Sequence, residues 1–390
     1  MKVVDVSAFY APHGGGVRTY VERKIAYAER TGHELVVVIP GDGDGEEVRP
    51  GGARIISVAS PKLIFDGRYR YFKSAGPVHA ILDAEKPDIV EASSPWRTAS
   101  IVADWQGPAR KAMFMHADPM ATYAYRWFGQ VAKRETIDRS FAMYLNHLRR
   151  TASTFDAVVC ANPDLAGRLE RERIPNVSVI PLGIEAQRFS PTLRSPALRA
   201  RMLAKCHLPE EARLLVSVGR LSPEKRWPMV IDAVSVASAR HPVGLVLIGE
   251  GRDRPTLLKA IAGNPHIRLI DGVQDRHLLA AMLASADGLV HGCESETFGL
   301  VVAEAAASGL PLILPDEGGA LGFADPRCGE TYRAADAGAL VGAIDRFLAR
   351  DPALLRAAAA RRAADVFSID DHFDALFAAY AACTREARAA

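Results

Sequence analysis

Apolar residues along this chain fall into two patterns. Short apolar-rich runs at residues 3–9, 35–39, 88–92, 111–116 and 157–161 lack alternation. Strands covered on both faces read this way. Between the runs, apolar positions recur at steps of three and four. Over residues 17–30, Val17, Tyr20, Val21, Ile25 and Ala28 share one helical face, and Gly32 follows as a stop. Strand alternating with helix predicts a parallel α/β sheet. A second series of strand-like runs follows at residues 214–218, 244–248, 267–270, 288–291 and 311–314. The intervening stretch 187–196 is rich in Pro, Ser and Arg and suits a linker. The pattern therefore predicts an N-terminal Rossmann-like domain over residues 1–186 and a C-terminal one over 187–370. The Ala-rich stretch 334–390 is helical by propensity. Its last part, 371–390, is expected to form a helix packing back on the N-terminal domain.

Composition narrows the function. The 48 Lys and Arg nearly cancel the 46 Asp and Glu in 390 residues, leaving a formal charge of +2. That balance excludes a uniformly basic nucleic-acid binder. The five cysteines are dispersed without a C-x-x-C pair, so neither a zinc knuckle nor a disulfide framework is readable. No apolar run approaches the roughly 18 residues needed to cross a bilayer. A charge at Lys2 and Asp5 interrupts any signal-peptide core. The expectation is a cytoplasmic protein, with attachment to the inner face of the cell membrane left open. Open α/β sheets bind ligands beyond the carboxyl ends of their strands. Two such domains facing a central cleft would suit a two-substrate transfer.

Two segments carry most of the chemistry. In the first, a strand ending at Val290-His291-Gly292 enters a polar loop, and a helix is expected to begin near Phe298. Unpaired N–H groups at a helix start attract phosphate. Glu296 lies on the loop and Glu304 inside the helix. Two carboxylates there would repel a phosphate but could accept hydrogen bonds from sugar hydroxyls. The alternative is two acids interacting with the helix dipole. In the second segment, the run Leu214-Leu215-Val216-Ser217-Val218-Gly219 delivers Arg220 and Lys225 to a loop. Arg forms a bidentate fork with phosphate and Lys adds a mobile charge, so together they could offset a departing diphosphate without a metal. Two solvated loop cations are the alternative.

Together these segments resemble the retaining glycosyltransferases of family 4, which have the two-domain GT-B fold. Glu296 and Glu304, separated by seven residues, match the two glutamates of that family. Val218-Gly219-Arg220-Leu221 followed by Lys225 resembles its phosphate-binding loop, and Leu247-Ile248-Gly249-Glu250-Gly251 its glycine turn. Gly14-Gly15-Gly16-Val17-Arg18 resembles its N-terminal glycine-rich loop, and residues 176–189 its interdomain crossing. The matches span almost the whole chain in the family's order.

The resemblance implies roles. Arg220 and Lys225 would hold the donor diphosphate, and Glu304 the ribose hydroxyls. Glu296, with Thr297 and the backbone of Phe298, Gly299 and Leu300, would hold the transferred sugar. Gly15, Gly16, Gly219, Glu250, Gly272 and Val273 complete the expected donor site. His116 closes a strand where the family places an active-site histidine, and Asp118 is its weaker companion. The reaction implied is a front-face transfer with retention, in which the leaving phosphate helps deprotonate the acceptor. No metal or other cofactor is then required beyond the nucleoside diphosphate sugar, with a UDP-sugar favoured over a GDP-sugar. Catalysis would come from positioning and from charge stabilisation on the diphosphate.

Asp42-Gly43-Asp44 has the form of a metal-chelating triplet, but its glycine-rich setting favours a surface turn. Residues 123–150 carry six basic against two acidic side chains, a local +4, interleaved with aromatic residues. A long basic helix with Arg126 and Trp127 could meet an anionic membrane on the acceptor side, or pack its aromatic face on its own domain. The acceptor is expected to be a lipid, a cell-envelope glycan or a small molecule, and no nucleic acid. The rival readings are a sugar-nucleotide epimerase of the same build and a catalytically silent binding subunit.

Overall fold

The apolar runs become strands of two predominantly parallel sheets, each in its own compact unit. In the computed structural model, residues 1–10, 16–63, 66–116, 118–125, 128, 131–185 and 187–389 are described. Unit 1 comprises Met1–Pro119, Trp127–Pro181 and Asp370–Ala390, and unit 2 comprises Met120–Arg126 and Leu182–Ile369.

The sheet of unit 1 has eight strands in the order Val177–Val179, Ala157–Cys160, Arg110–Met115, Ile89–Ala92, Lys2–Val6, Glu34–Gly41, Arg54–Ala59 and Gly45–Val48. All neighbours are parallel except the last pair. Val4, Val36, Val90, Met113 and Val158 join one apolar cluster from five successive strands. The helix Gly16–Thr31 buries Tyr20, Val21, Lys24, Ile25, Tyr27 and Ala28. In the last helix, Ile369–Ala389, the buried positions 372, 373, 376, 377 and 380 trace one helical face. Tyr27 lies with its ring 5.2 Å from that of Phe373 and 5.4 Å from that of Phe377.

Unit 1 also buries charge. The Lys24 ammonium sits 3.0 Å from Asp5 and bonds Glu91, and all three side chains are fully buried. Ser93 Oγ lies 2.7 Å from Asp5 and 3.0 Å from Glu91, while the Tyr380 hydroxyl donates to Glu91 at 2.6 Å. Burial pushes the Asp5 carboxyl up to about 6; Lys24 opposes the rise and Glu91 adds to it. The cluster joins two central strands to the first helix through ion pairs and to the last helix through the Tyr380 hydrogen bond.

The sheet of unit 2 has six strands, all parallel, in the order Ile267–Ile270, Val243–Ile248, Arg213–Val218, Gly288–Val290, Leu312–Pro315 and Gly329–Tyr332. By chain order within the unit this is 3-2-1-4-5-6, the doubly wound arrangement. Its switch point lies between Arg213–Val218 and Gly288–Val290, where such folds bind ligands.

Several local expectations change. The first strand ends at Val6 rather than residue 9. Gly45–Val48 and Arg54–Ala59 form an antiparallel sheet edge that the apolar pattern did not reveal, because every residue of Gly45–Val48 is exposed. Asp42 pairs with Arg70, and Asp44 accepts from the Ala59 N–H at 2.8 Å. Both acids of the metal-like triplet are therefore engaged in a surface turn. The long helix expected within 123–150 is interrupted: among the described residues a π-helical turn, Met120–Tyr125, precedes the helices Arg134–Ser140 and Ala142–Ala152, with Phe141 between these two leaving helical geometry at φ −99°, ψ 16°. Among the described residues, no helix is long and apolar enough to cross a membrane.

Candidate active site

The switch point of unit 2 brings together the two segments singled out above. The strand Arg213–Val218 hands the chain to Gly219 and Arg220, and a single 3-10 turn, Pro223–Lys225, carries Lys225. Arg226 adopts a left-handed conformation at φ 50°, and Trp227 begins the next helix. Trp227 is almost wholly buried, and its indole N–H donates to the Arg220 carbonyl at 2.7 Å. A packed aromatic thus fixes the loop backbone beneath both cations. The neighbouring turn at Gly249 presses on it. A Cβ there would lie 1.9 Å from the Gly219 carbonyl oxygen, so only glycine allows the two strand ends to meet.

On the other side, Gly288–Val290 leads into the loop from His291 to Gly299. The helix begins at Leu300, two residues past Phe298, because Gly299 takes φ +86° and ends the loop in a left-handed cap position. Lys225 reaches across the switch point and bonds Glu296. Burial would raise the Glu296 carboxyl, but Lys225 foremost, then His291 and Arg220, outweigh it and hold its pKa down. Burial likewise works against the Lys225 ammonium, and Glu296 outweighs it. Next along each loop, Arg226 and Glu294 form a second pair, with Arg226 Nε 2.7 Å from one carboxylate oxygen and its Nη2 bonding the other. This parallel fork locks the two loops to each other.

Arg220 is the exposed member of the set, with 62% of its side chain accessible, and it meets Glu224 at 3.2 Å. Glu224 also accepts from Ser222 at 2.5 Å. An exposed pair of this kind contributes only about 0–1 kcal/mol, so an incoming anion can displace Glu224 at little cost. Glu304 is buried and bonds Arg276, whose guanidinium lies 5.2 Å from the ring centre of Phe189. Phe298 is buried with its ring 5.2 Å from Phe323, and Thr297 and Leu300 are half-buried beside it. Glu250 is exposed and adjoins Gly272, with Val273 next in chain.

The site residues expected in unit 1 are more scattered. His116 packs edge-on to Tyr20 at 4.7 Å and against Phe114 at 4.4 Å. Burial first, with Lys24 and His372 assisting and Glu91 opposing, pulls its pKa down to about 3. Its imidazole is therefore neutral at pH 7. Asp118 is buried and pairs with Arg168 of the helix Pro163–Arg171. Gly16 starts the first helix. Gly14, Gly15, Arg126 and Trp127 lie outside the described residues.

Known proteins place this architecture. The description "Glycosyltransferase Family 4" matches residues 14–188, and "Glycosyl transferases group 1" matches residues 199–365. A GDP-mannose-dependent alpha-(1-6)-phosphatidylinositol dimannoside mannosyltransferase of Mycobacterium tuberculosis strain H37Ra is 30% identical over 315 residues, covering 80% of this chain and 79% of its own. The chain belongs to glycosyltransferase family 4. Another similar member is a GDP-mannose-dependent alpha-mannosyltransferase of Mycobacterium tuberculosis strain CDC 1551, 30% identical over 327 residues and covering 82% of this chain and 80% of that one. The GT-B fold of the family is evident in solved structures. Sucrose-phosphate synthase from Thermosynechococcus elongatus superposes with a TM-score of 0.76 at 19% identity, covering 97% of this chain and 98% of that one. Anabaena HepE in complex with UDP superposes with a TM-score of 0.72 at 16% identity, covering 97% and 99%. This family 4 chain is a nucleotide-sugar-dependent glycosyltransferase.

The local sequence had not singled out Arg226, Glu294, Trp227 or Arg276. The first three had a readable signal, since each is adjacent to or two residues from a selected charge, Arg226 and Glu294 on the same loops and Trp227 at the start of the following helix. Arg276 had none, because its partner is 28 positions away.

Proposed function

We propose that this chain is a retaining mannosyltransferase that moves mannose from GDP-mannose onto the hydroxyl of a polyol or glycan head group in a cell-envelope glycolipid. The observation that carries the proposal is the bonded pair Lys225–Glu296 at the switch point, with Arg220 exposed at its rim. A diphosphate entering there would meet two cations. Arg220 would release Glu224 to fork a phosphate, and Lys225 would divide its charge between Glu296 and the leaving oxygen. Glu296 would then accept from the sugar hydroxyls rather than attack the anomeric carbon, since an ammonium-bonded carboxylate is a poor nucleophile. That leaves the acceptor oxygen to enter on the face from which the diphosphate departs, its proton passing to the phosphate, with no metal in the step. Glu304, bonded to Arg276, would take the ribose hydroxyls. Neutral His116 would line the acceptor side, with Asp118 held behind it by Arg168.

The guanosine donor is favoured because the mannosyltransferases this chain resembles at 30% identity are named as GDP-mannose-dependent. This departs from the uridine preference that the family resemblance alone suggested. The lipid acceptor follows the name of the first of these relatives. Contact with an anionic membrane surface would suit the basic, aromatic segment 123–150, with Arg126 and Trp127 within it, and the reaction would then run at the inner face of the cell membrane. The proposal is tested by Arg220→Ala and Lys225→Ala. Each is expected to lower turnover by roughly 10²–10³, the scale of losing one preorganised charge stabiliser. Near-wild-type turnover in both would overturn it.

A further inference from the structure

The loop that carries Glu296 holds a second arrangement, in which this carboxylate meets two side chains that sugar transfer does not use. His291, Cys293 and Glu296 each offer one ligand atom, and these three atoms lie within 4.8 Å of one another. Among the described residues no other trio of this kind occurs. His291 is 2% exposed, and its Nε2 makes no hydrogen bond. That nitrogen faces the Glu296 carboxylate at 3.7 Å. Its ring also hydrogen-bonds the Cys293 backbone, and its own main chain is fixed by an N–H to Ile313 at 3.0 Å and by the Tyr332 hydroxyl, which donates to the His291 carbonyl at 2.7 Å. With the backbone-bonded ring nitrogen donating, Nε2 turns a lone pair towards a carboxylate oxygen. Nε2 and that oxygen then face each other with no proton between them; Lys225 bonds the same oxygen, so an ion seated between nitrogen and carboxylate takes it over from the ammonium.

We infer that His291, Cys293 and Glu296 form a binding site for a thiophilic divalent cation of the zinc class, and that its occupancy inhibits sugar transfer. A tetrahedral ion with bonds of about 2.0–2.3 Å needs ligand atoms roughly 3.3–3.8 Å apart. The His–Glu separation is already of that size, and Cys293 Sγ, within 4.8 Å of both ligand atoms, must leave its 3.3 Å contact with Ser295 Oγ to close on the ion. The mixed nitrogen, sulfur and oxygen donors suit zinc rather than magnesium or calcium. When the metal–sulfur bond forms, the Cys293 thiol releases its proton to solvent. Three protein ligands leave a fourth position for water. The ion takes the same carboxylate that Lys225 holds, so metal and ammonium compete for Glu296. Occupancy therefore removes Glu296 from the sugar and pushes a cation against Lys225. The inhibitory part rests on the transferase reading; the binding part does not.

The test titrates Co²⁺, then Zn²⁺, into the whole purified chain and reads absorption and transfer separately. The expected result is a cobalt–thiolate charge-transfer band at one ion per chain that Zn²⁺ abolishes. Cys293→Ser should weaken binding by about tenfold or more, and Zn²⁺ inhibition of that variant, relative to its own metal-free rate, should fall in step. Lys225→Met should bind the ion more tightly. Absence of the band in wild type overturns the site whether or not Cys293→Ser folds. Equal inhibition of wild type and a folded Cys293→Ser overturns the link to transfer. If the chain transfers no sugar at all, the cobalt spectrum still decides the site.

Discussion

Replacing Lys24 with methionine tests the buried charge cluster of unit 1 through a pH signature that loss of packing alone would not produce. Methionine keeps the length of the side chain and removes the ammonium between Asp5 and Glu91, both of them 0% exposed. Breaking a buried pair by removing one partner costs about 3–5 kcal/mol, a large share of the roughly 5–15 kcal/mol typical of a folded domain. The second effect comes from Asp5. In the wild type its carboxyl titrates at about 6 against an ordinary 3.8, so above that pH both folded and unfolded chains carry it ionised. Without Lys24, its largest opposing influence, Asp5 keeps its proton in the folded state to higher pH. The folded chain then holds one proton more than the unfolded chain, so stability falls with rising pH by about 1.4 kcal/mol per unit. The gap between variant and wild type should therefore be at least about 3 kcal/mol near pH 6 and widen by about 1.4 kcal/mol per unit above it. Urea unfolding of both proteins from about pH 6 to about pH 8 measures this, analysed by linear extrapolation. A gap that stays constant across this window, or one under about 1 kcal/mol, would refute the reasoning.

The last helix carries a second pH dependence of opposite sign. Burial lowers the His372 pKa from 6.5 to about 4, the Pro181 hydrogen bond opposing and Lys24 assisting. A depressed histidine stabilises above its unfolded pKa, and that contribution is lost as pH falls from 6.5 towards about 4, so His372→Gln should remove about 3 kcal/mol of acid sensitivity from urea midpoints. An unchanged acid limb would contradict it. Gly249→Ala places a methyl group 1.9 Å from the Gly219 carbonyl, so the two loops must separate. Stability should fall by about 1–3 kcal/mol. Donor binding, followed by nucleotide-induced thermal shift, should weaken more than stability accounts for, and an unaltered shift would show that the loop contact does not shape the site.

The doubly wound sheet of unit 2 was legible because its strands are apolar-rich runs such as Leu245 to Ile248. Gly45–Val48 was not, since an exposed edge strand carries no hydrophobic signal. The helix break at Phe141 escaped notice because no Gly or Pro marks it. At the site, Arg220, Lys225, Glu296 and Glu304 stood out through residue type at known spacing. Their partners did not, because Lys225–Glu296 spans 71 positions and Arg276–Glu304 spans 28, and a single sequence contains no distances. The Lys24 cluster was hidden for a further reason. A lysine on a helical face reads as solvated, and only the fold shows two carboxylates awaiting it.

The proposed reaction is transfer of mannose from a guanosine donor onto a lipid-linked acceptor. It is tested most directly by incubating the purified chain with radiolabelled GDP-mannose or UDP-glucose and vesicles containing phosphatidylinositol mannosides, then counting label in the organic phase. Lipid-bound label is expected from GDP-mannose, lost on Lys225→Ala, with little from UDP-glucose. Label from UDP-glucose alone, or release of free mannose with none in the lipid, would contradict it.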